Sequence, residues 1–433
     1  MVQSHGVSNL QANMQNIFGG LRKRANKEGA EQKGEDSSVH LNDRDDLMED
    51  DDDEYEAPLK SKKNTRRPKE TAFTQQHLAA VHPILTAKTI VPLFVCLAII
   101  FIPIGAAMLK ASENVQDLQI DYSHCSEVAK EGMWTTVPDE YYEFHFQEDV
   151  TIKPQWRLGS DSAWDAYPEE KVICEVQFEI PNTMKGPIYY FYKLTNFHAN
   201  HRQYVKSFSE DQIQGKVASV STIRDSVGQN CKPLATDDAG KIIYPCGLIA
   251  NSMFNDTFTS NLIGVNGTTS DFNMTNKGIA WSTNSKRFQK TQYSYKDIVP
   301  PPNWVKKFPE GYNSSNVPDI SQWAEFQNWM APAALADFSN MVLRSDEDLG
   351  KGVYQTNVGL HFPTVEYNGK KIIYITTSSA IGGRNSFLGV AWIIGGAICL
   401  ALALAVFVGV LLKGRKSGDT SLLSWNRGVV DDE

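Results

Sequence analysis

The stretch "IVPLFVCLAIIFIPIGAAML" (Ile90–Leu109) decides the fold, together with "FLGVAWIIGGAICLALALAVFVGVLL" (Phe387–Leu412) near the other end of the chain. Neither window, of 20 and 26 residues, holds an acid, a base or a histidine. Lys88 and Lys110 bracket the first, Arg384 and Lys413 the second. About 20 apolar residues in a helix cross the ~30 Å hydrocarbon core of a bilayer, and soluble core helices rarely stay charge-free for so long. Two transmembrane helices are expected, at 90–109 and 387–412. The first begins too far along the chain for a cleaved signal sequence, so it reads as an uncleaved anchor.

The flanks set an orientation. Lys60, Lys62, Lys63, Arg66, Arg67, Lys69 and Lys88 precede the first span, and Lys413, Arg415 and Lys416 follow the second. By the positive-inside rule both termini are cytoplasmic, and residues 110–386 face the lumen or the exterior. The whole chain of 433 residues has 42 bases and 51 acids, a net charge of -9. The tails hold 13 and 4 of the bases and 15 and 4 of the acids, which leaves 25 bases and 32 acids between the spans. This balance excludes a general nucleic-acid binder, which needs a strongly basic surface. A mean hydropathy of -0.35 excludes a many-helix transporter.

Two other features fit the same topology. The sequons at Asn255, Asn266, Asn273 and Asn313 all lie between the spans, the side on which N-glycosylation acts. Of six cysteines, Cys125, Cys174, Cys231 and Cys246 lie there too, while Cys96 and Cys399 are inside the spans. An oxidising compartment makes two disulfides the natural reading, against four buried free thiols. Four cysteines allow three pairings, of which the sequential one needs the least crossing.

Residues 1–70 read as a disordered cytoplasmic tail with ten acids in Asp43–Glu56 and six bases in Lys60–Lys69, and 71–89 as a juxtamembrane segment. The basic block suits contact with anionic phospholipid headgroups. Residues 413–433 form a second cytoplasmic tail. The 110–386 segment is long enough for its own core and reads mainly as strands. In "CEVQFEI", Cys174, Val176, Phe178 and Ile180 share one face, and Glu175, Gln177 and Glu179 the other, the pattern of a half-buried strand. "IYYFYKLTNF" (188–197) and "VYQTNVGLHF" (353–362), rich in aromatic and β-branched residues, also read as strands, as does "KKIIYITTSS" after the turn at Gly369. One helix is predicted, capped by Asp319 with Gln322 three residues on, carrying the stripe Ile320, Trp323, Phe326, Met330 and ending at Pro332. The fold class is thus a two-span membrane protein with a large β-rich domain.

Chemistry is harder to find. There is no phosphate loop, dinucleotide fingerprint, nucleophile elbow or paired-histidine zinc helix. His198 and His201 are three apart but lack a second ligand pair, so no metal site, catalytic residue or cofactor is expected. The spans hold no ionisable group and two apolar helices cannot enclose a polar path, so the chain alone is no transporter. Ala391, Gly395, Cys399 and Ala403 recur every fourth residue and offer a helix-packing face, either to the first span or to another protein. Pro92, Pro103 and Gly105 predict a bend in the first span. These features suit a receptor, an adhesion protein or an accessory subunit, with a membrane-tethered hydrolase as a further option.

The strings themselves add a resemblance. "PKETAFTQQHLAAVHPILTAKTIVPLF", "TNFHANHRQYVKSFSEDQIQG", "YPCGLIANSMFNDTF", "NKGIAWSTNSKRF", "IVPPPNWVKKFPEGY" and "GGRNSFLG" occur in this order. Over residues 68–412 the chain resembles the accessory (beta) subunits of phospholipid flippases, the type IV P-type ATPases. In fungi these are the cell-division-control and ligand-effect-modulator proteins. The acidic tail before "RRPKETAFTQQ" and the C-terminal "SLLSWN" resemble the ligand-effect-modulator branch. The resemblance implies a non-catalytic subunit in a heterodimer with a type IV P-type ATPase, which itself hydrolyses ATP and moves the lipid. Such a subunit supports export of the ATPase from the endoplasmic reticulum, its transport cycle and phospholipid asymmetry. Residence in the endoplasmic reticulum, Golgi, endosome and plasma membrane is implied. So are an antiparallel β-sandwich with long insertions and the disulfides Cys125–Cys174 and Cys231–Cys246. Asn255 stands where the family commonly has a sequon; Asn266, Asn273 and Asn313 lie in more variable connections. The segment Ala72–Gln76, with Phe73, Gln75 and Gln76, would lie against the cytosolic side of the ATPase. Ala331 stands where the family often has Arg, which withdraws one polar contact.

Overall fold

The computed structural model describes residues 71–73, 76, 78, 86–160, 167, 171–265, 267 and 269–412. The readings of residues 1–70 and 413–433, of Gln75 and of Asn266 lie outside these residues. The chain divides into two units, 1–82 and 83–433. In the first, the Gln76 N–H donates to the Phe73 carbonyl at 3.2 Å, closing a turn that exposes the Phe73 ring.

The membrane-spanning helices run over Ala87–Glu113 and Ser386–Leu412, 27 residues each. The first extends about a turn beyond the apolar window at each end. Thr86 caps it, its N–H donating to Thr89 Oγ1 at 3.1 Å. It continues unbroken through Pro92 and Pro103.

Among the described residues fourteen strands lie between the spans, in chain order β1 Asp117–Asp121, β2 Thr135–Thr136, β3 Tyr142–His145, β4 Gln155–Gly159, β5 Ile173–Ile180, β6 Ile188–Leu194, β7 Ile242–Ile243, β8 Thr257–Phe258, β9 Asn261–Gly264, β10 Phe272–Asn273, β11 Ile298–Val299, β12 Phe338–Ser345, β13 Gly352–Gly359 and β14 Lys371–Thr376. One antiparallel sheet has the order β12-β6-β14-β1-β3, a second β10-β9-β13-β5-β4-β2, with β8 beside β13, and β7 and β11 form a short parallel pair. Leu118, Ile120, Tyr190 and Ile373 from the first sheet share one buried cluster with Val176, Phe178, Tyr354 and Val358 from the second. The Tyr190 hydroxyl lies 3.3 Å from Thr356 Oγ1 across the gap. This is a β-sandwich built on period-two alternation, as β6 shows by burying every second residue. The insertion between β6 and β12 carries its own core of Tyr244, Phe288, Trp304, Ile320 and Phe326.

Two local expectations are corrected. β5 is buried on both faces rather than one. Loop and neighbour groups cover its acids: Arg157 donates to Glu175 through Nε at 2.8 Å, and Glu179 accepts from the N–H groups of Thr151 and Ile152 at 2.7 and 2.6 Å. Burial of a charged strand face is tolerable when each carboxylate is so paired. The helix expected from Asp319 begins only at Ala324 and ends at Trp329. Asp319 instead closes a local turn, Oδ1 accepting from Ser321 N–H at 3.0 Å, the competing use of such side chains. The stripe still packs inward, with Ile320 and Phe326 buried and Trp323 and Met330 against them.

Candidate functional site

Each span runs almost directly into a strand, the first into β1 and the second out of β14. These strands pair antiparallel, Asp117 opposite Thr376 and Asp121 opposite Ile372, so the helices descend side by side from the middle of one sheet. Short bonds fix the junction. The Asn385 N–H donates to Ser112 Oγ at 2.8 Å, and Gln116 and Thr377 exchange bonds. His145 Nε2 lies 3.0 Å from the Glu113 carbonyl. Arg384, just before the second span, reaches the buried Asp117 at 2.8 Å through Nε and Glu143 at 2.9 Å through Nη2.

The helices then pack as an antiparallel pair. Gly389 backs on Gly105 and Leu109, and Gly396 on Ile102, so closely that a Cβ at either glycine would meet an atom within 3.0 Å. Phe101 and Trp392 interlock edge to face at 4.7 Å. The buried positions are Ala98, Gly105 and Ser112 on one helix and Gly389, Gly396 and Ala403 on the other. Both sets repeat every seven residues, the spacing that keeps a seam facing its partner along two supercoiled helices. Small residues there let the backbones approach, as association without a hydrophobic driving force requires. The four-residue stripe read from sequence crosses this seam obliquely. Ala403 is in it, Gly395 and Cys399 flank it half-buried, and Ala391 is exposed on another face.

Above the membrane pair, one polar network is fully enclosed. Lys371 Nζ and Asp256 Oδ2 are 2.8 Å apart with both side chains buried. Asp256 also accepts from the Tyr122 hydroxyl at 3.0 Å and from the N–H groups of His361 and Phe362 at 2.7 Å each. Lys371 donates to the Phe362 carbonyl at 2.8 Å. Burial and the Asp256 charge push the Tyr122 phenol well above its ordinary pKa. Four donors on one carboxylate make this a structural tie between β1, β14 and the segment after β13, and leave no lone pair aimed at a substrate.

Asp256 is the middle residue of the sequon Asn255-Asp256-Thr257. Asn255 lines a cleft of about 510 Å³ whose walls include Trp304, Trp323, Asn276, Glu325 and Lys307. Asn273 and Asn313 are exposed. Asn313 Oδ1 accepts from Ser315 Oγ at 2.8 Å within its own sequon. Disulfides join Cys125 to Cys174 and Cys231 to Cys246. The first ties the helical turn after β1 to β5, and the second anchors a small separate core around Ile223 and Ala235. His198 Nε2 lies 3.3 Å from Asn196 Oδ1, and His201 precedes the short helix Arg202–Lys206. Among the described residues no group of acids, histidines or cysteines is arranged to hold a metal. Sequence reasoning missed the Lys371–Asp256 tie, because its members are 115 positions apart and only the sandwich brings them together. The seam glycines were legible in principle, from a seven-residue rather than a four-residue spacing.

Comparison with known proteins gives a consistent set of relatives. The family model described as the LEM3 (ligand-effect modulator 3) family / CDC50 family matches residues 108–416. The phospholipid-transporting ATPase accessory subunit LEM3 of Saccharomyces cerevisiae is 46% identical over 85% of this chain and 89% of its own length. The accessory subunit CDC50 of Chaetomium thermophilum is 39% identical over 83% and 91%. Cell cycle control protein 50A of Bos taurus is 31% identical over 82% and 92%.

Proposed function

The chain belongs to the LEM3/CDC50 family, and on that premise we propose that it is the non-catalytic accessory subunit of a phospholipid-transporting P-type ATPase. The observation that carries this reading is the 46% identity, over nearly the full length of both chains, to a protein described as such a subunit. The architecture is suited to it. Two apolar helices locked to each other leave their outer faces for lipid or for a larger membrane partner, and the enclosed Lys371–Asp256 tie offers structure rather than chemistry.

The finer reading places both termini in the cytosol and the β-sandwich in the lumen or outside the cell. The basic flanks of both spans and the four sequons between them support it. The partner would then meet the Phe73–Gln76 segment on the cytosolic side and an outer helix face including Ala391 within the membrane. The complex would leave the endoplasmic reticulum for the Golgi, endosomes and plasma membrane, sustaining phospholipid asymmetry.

The test is affinity purification of the tagged full chain in mild detergent from cells that express such an ATPase. A much larger P-type ATPase should be recovered in equal amount. Recovery of the chain alone, together with normal lipid asymmetry after its deletion, would remove the proposal and favour an independent receptor.

A further inference from the structure

The sequon at Asn255 is unusual in its placement. Asn273 and Asn313 offer their side chains to solvent, whereas Asn255 forms part of the wall of the 510 Å³ cleft. Its Oδ1 is buried and has no hydrogen-bond partner among the described residues, and neither has the Thr257 hydroxyl at the other end of the sequon. Leaving a buried acceptor unpaired costs about 1–3 kcal/mol, so two in one tripeptide need a reason.

The cleft is of ligand size, within the roughly 300–1,000 Å³ of small-molecule sites. Its lining is mixed in a specific way. Trp304 and Trp323 form a tilted pair with ring centroids 5.4 Å apart. Near them stand Asn276, which donates to Glu325 at 3.0 Å, and Lys307, which lies 4.7 Å above the Trp323 ring. Indole faces attract polarised C–H groups, and amide, carboxylate and ammonium groups bind hydroxyls and acetamides. A pyranose ring carries both chemistries, an apolar C–H face and a polar rim.

We infer that the cleft is the seat of the N-acetylglucosamine core of an N-glycan attached to Asn255, so that the first sugars fold inward and complete the packing between sandwich and insertion. Attachment forms a bond from Asn255 Nδ2 to C1 of the sugar. It breaks the C1–oxygen bond of a lipid-linked oligosaccharide diphosphate, which leaves with the amide proton passing to a base of the transferase. A separate transferase performs this step on the unfolded chain, and the cleft then closes around the sugar. The inference rests on the lumenal placement proposed above.

The test is endoglycosidase H digestion of the full chain, carrying high-mannose glycans, in detergent with its partner. Site-resolved mass spectrometry reads release at each sequon in native and denatured protein. In the native state, release at Asn255 should be at least about tenfold slower than at Asn313, because the core must first leave the cleft. Trp323→Ala should bring the two rates together, and Trp323→Phe should restore protection. Equal native rates at the two sites would overturn the inference, as would a protection ratio unmoved by Trp323→Ala. If that variant fails to fold, the wild-type ratio and Trp323→Phe decide. An unmodified Asn255 beside modified Asn273 or Asn313 would sink the inference and leave the topology intact. Four unmodified sequons would sink both.

Discussion

Replacing Gly389 with alanine should weaken the pairing of the membrane helices far more than the same change six residues on. At position 389 a methyl would sit 2.8 Å from Leu109 N, 2.9 Å from the Gly105 carbonyl oxygen and 3.1 Å from Leu109 Cα. All three are backbone atoms, so no rotamer change relieves the clash, and reaching ordinary contact at 3.4 Å requires the helices to part locally by 0.6 Å. A gap of about 0.5–1 Å forfeits a quarter to a half of the dispersion energy of the atoms it separates. Phe101, Ile102, Trp392 and Ile393 line this seam, so the loss falls on large side chains. Overpacking of this kind costs about 1–3 kcal/mol. At position 395 the nearest atom to a new methyl is Phe101 Cδ2 at 3.7 Å, and at Gly409 no atom of the described residues lies within 4 Å. All three substitutions gain the same helix propensity, so their comparison isolates the contact. The assay is thermal unfolding of the full chain in mild detergent, with recovery of folded protein by size exclusion. Gly389→Ala should lower the midpoint by roughly 2–12 °C, taking about 2–4 °C per kcal/mol for a domain of this size. Gly395→Ala and Gly409→Ala should leave it within a degree or so of wild type. Equal midpoints for Gly389→Ala and Gly395→Ala would show that the glycine seam does not hold the helices together.

The same structure yields other expectations. Arg384→Ala strands the buried Asp117 without its cation; since the arginine is itself one-third exposed, the cost should be about 1–3 kcal/mol, and adding Asp117→Asn should recover part of it in a denaturant titration. Lys371→Met leaves Asp256 charged and enclosed and should cost about 3–5 kcal/mol, whereas the double change with Asp256→Asn, which preserves the sequon, should cost less. Arg287 donates through both Nε and Nη2 to Glu210 and holds its carboxyl below the ordinary value. Stability from that pair is present above the unfolded carboxyl pKa of about 4.3 and is lost as pH falls through the lower folded value. Glu210→Gln should therefore flatten the acid limb of the stability curve by at most about 1 kcal/mol, the pair being partly solvated. Cys231→Ser opens a loop of 15 residues and should cost roughly 3 kcal/mol, read as reduced export of the folded chain.

What the sequence made legible was whatever local spacing encodes. The two spans, the strand at Ile188–Leu194 signalled by its aromatic and β-branched residues, and the alternating strand within Ile173–Ile180 all appear where the local sequence put them. What it concealed was decided by partners distant in sequence. Glu175 and Glu179 read as a solvent face because nothing local announces that Arg157 and the Thr151–Ile152 backbone will cover them. The turn at 319–322 defeated the helix reading because Asp319 caps a turn with the same geometry that would start a helix. In the second span, Ala and Gly are frequent enough to suggest several stripes. Only the first helix, lying against Gly389, Gly396 and Ala403, selects the one with a seven-residue repeat. The cleft beside Asn255 lies between the sandwich and an insertion with its own core, and no spacing within either segment points to it.

The position of β14 has a consequence for biogenesis. It lies between β6 and β1 in the first sheet, yet it is the last strand to be synthesised. Until Lys371–Thr376 emerges, β1 and β6 each present an unpaired edge, and the most central place in the sheet stays empty. Open edges of this kind recruit other strands or quality-control factors, and pairings across some 250 residues are slow to form. The domain thus has a built-in completeness check. A chain cut short anywhere before Lys371 lacks the keystone of its own sheet, and the strand that closes the sheet also leads the second membrane helix to its partner.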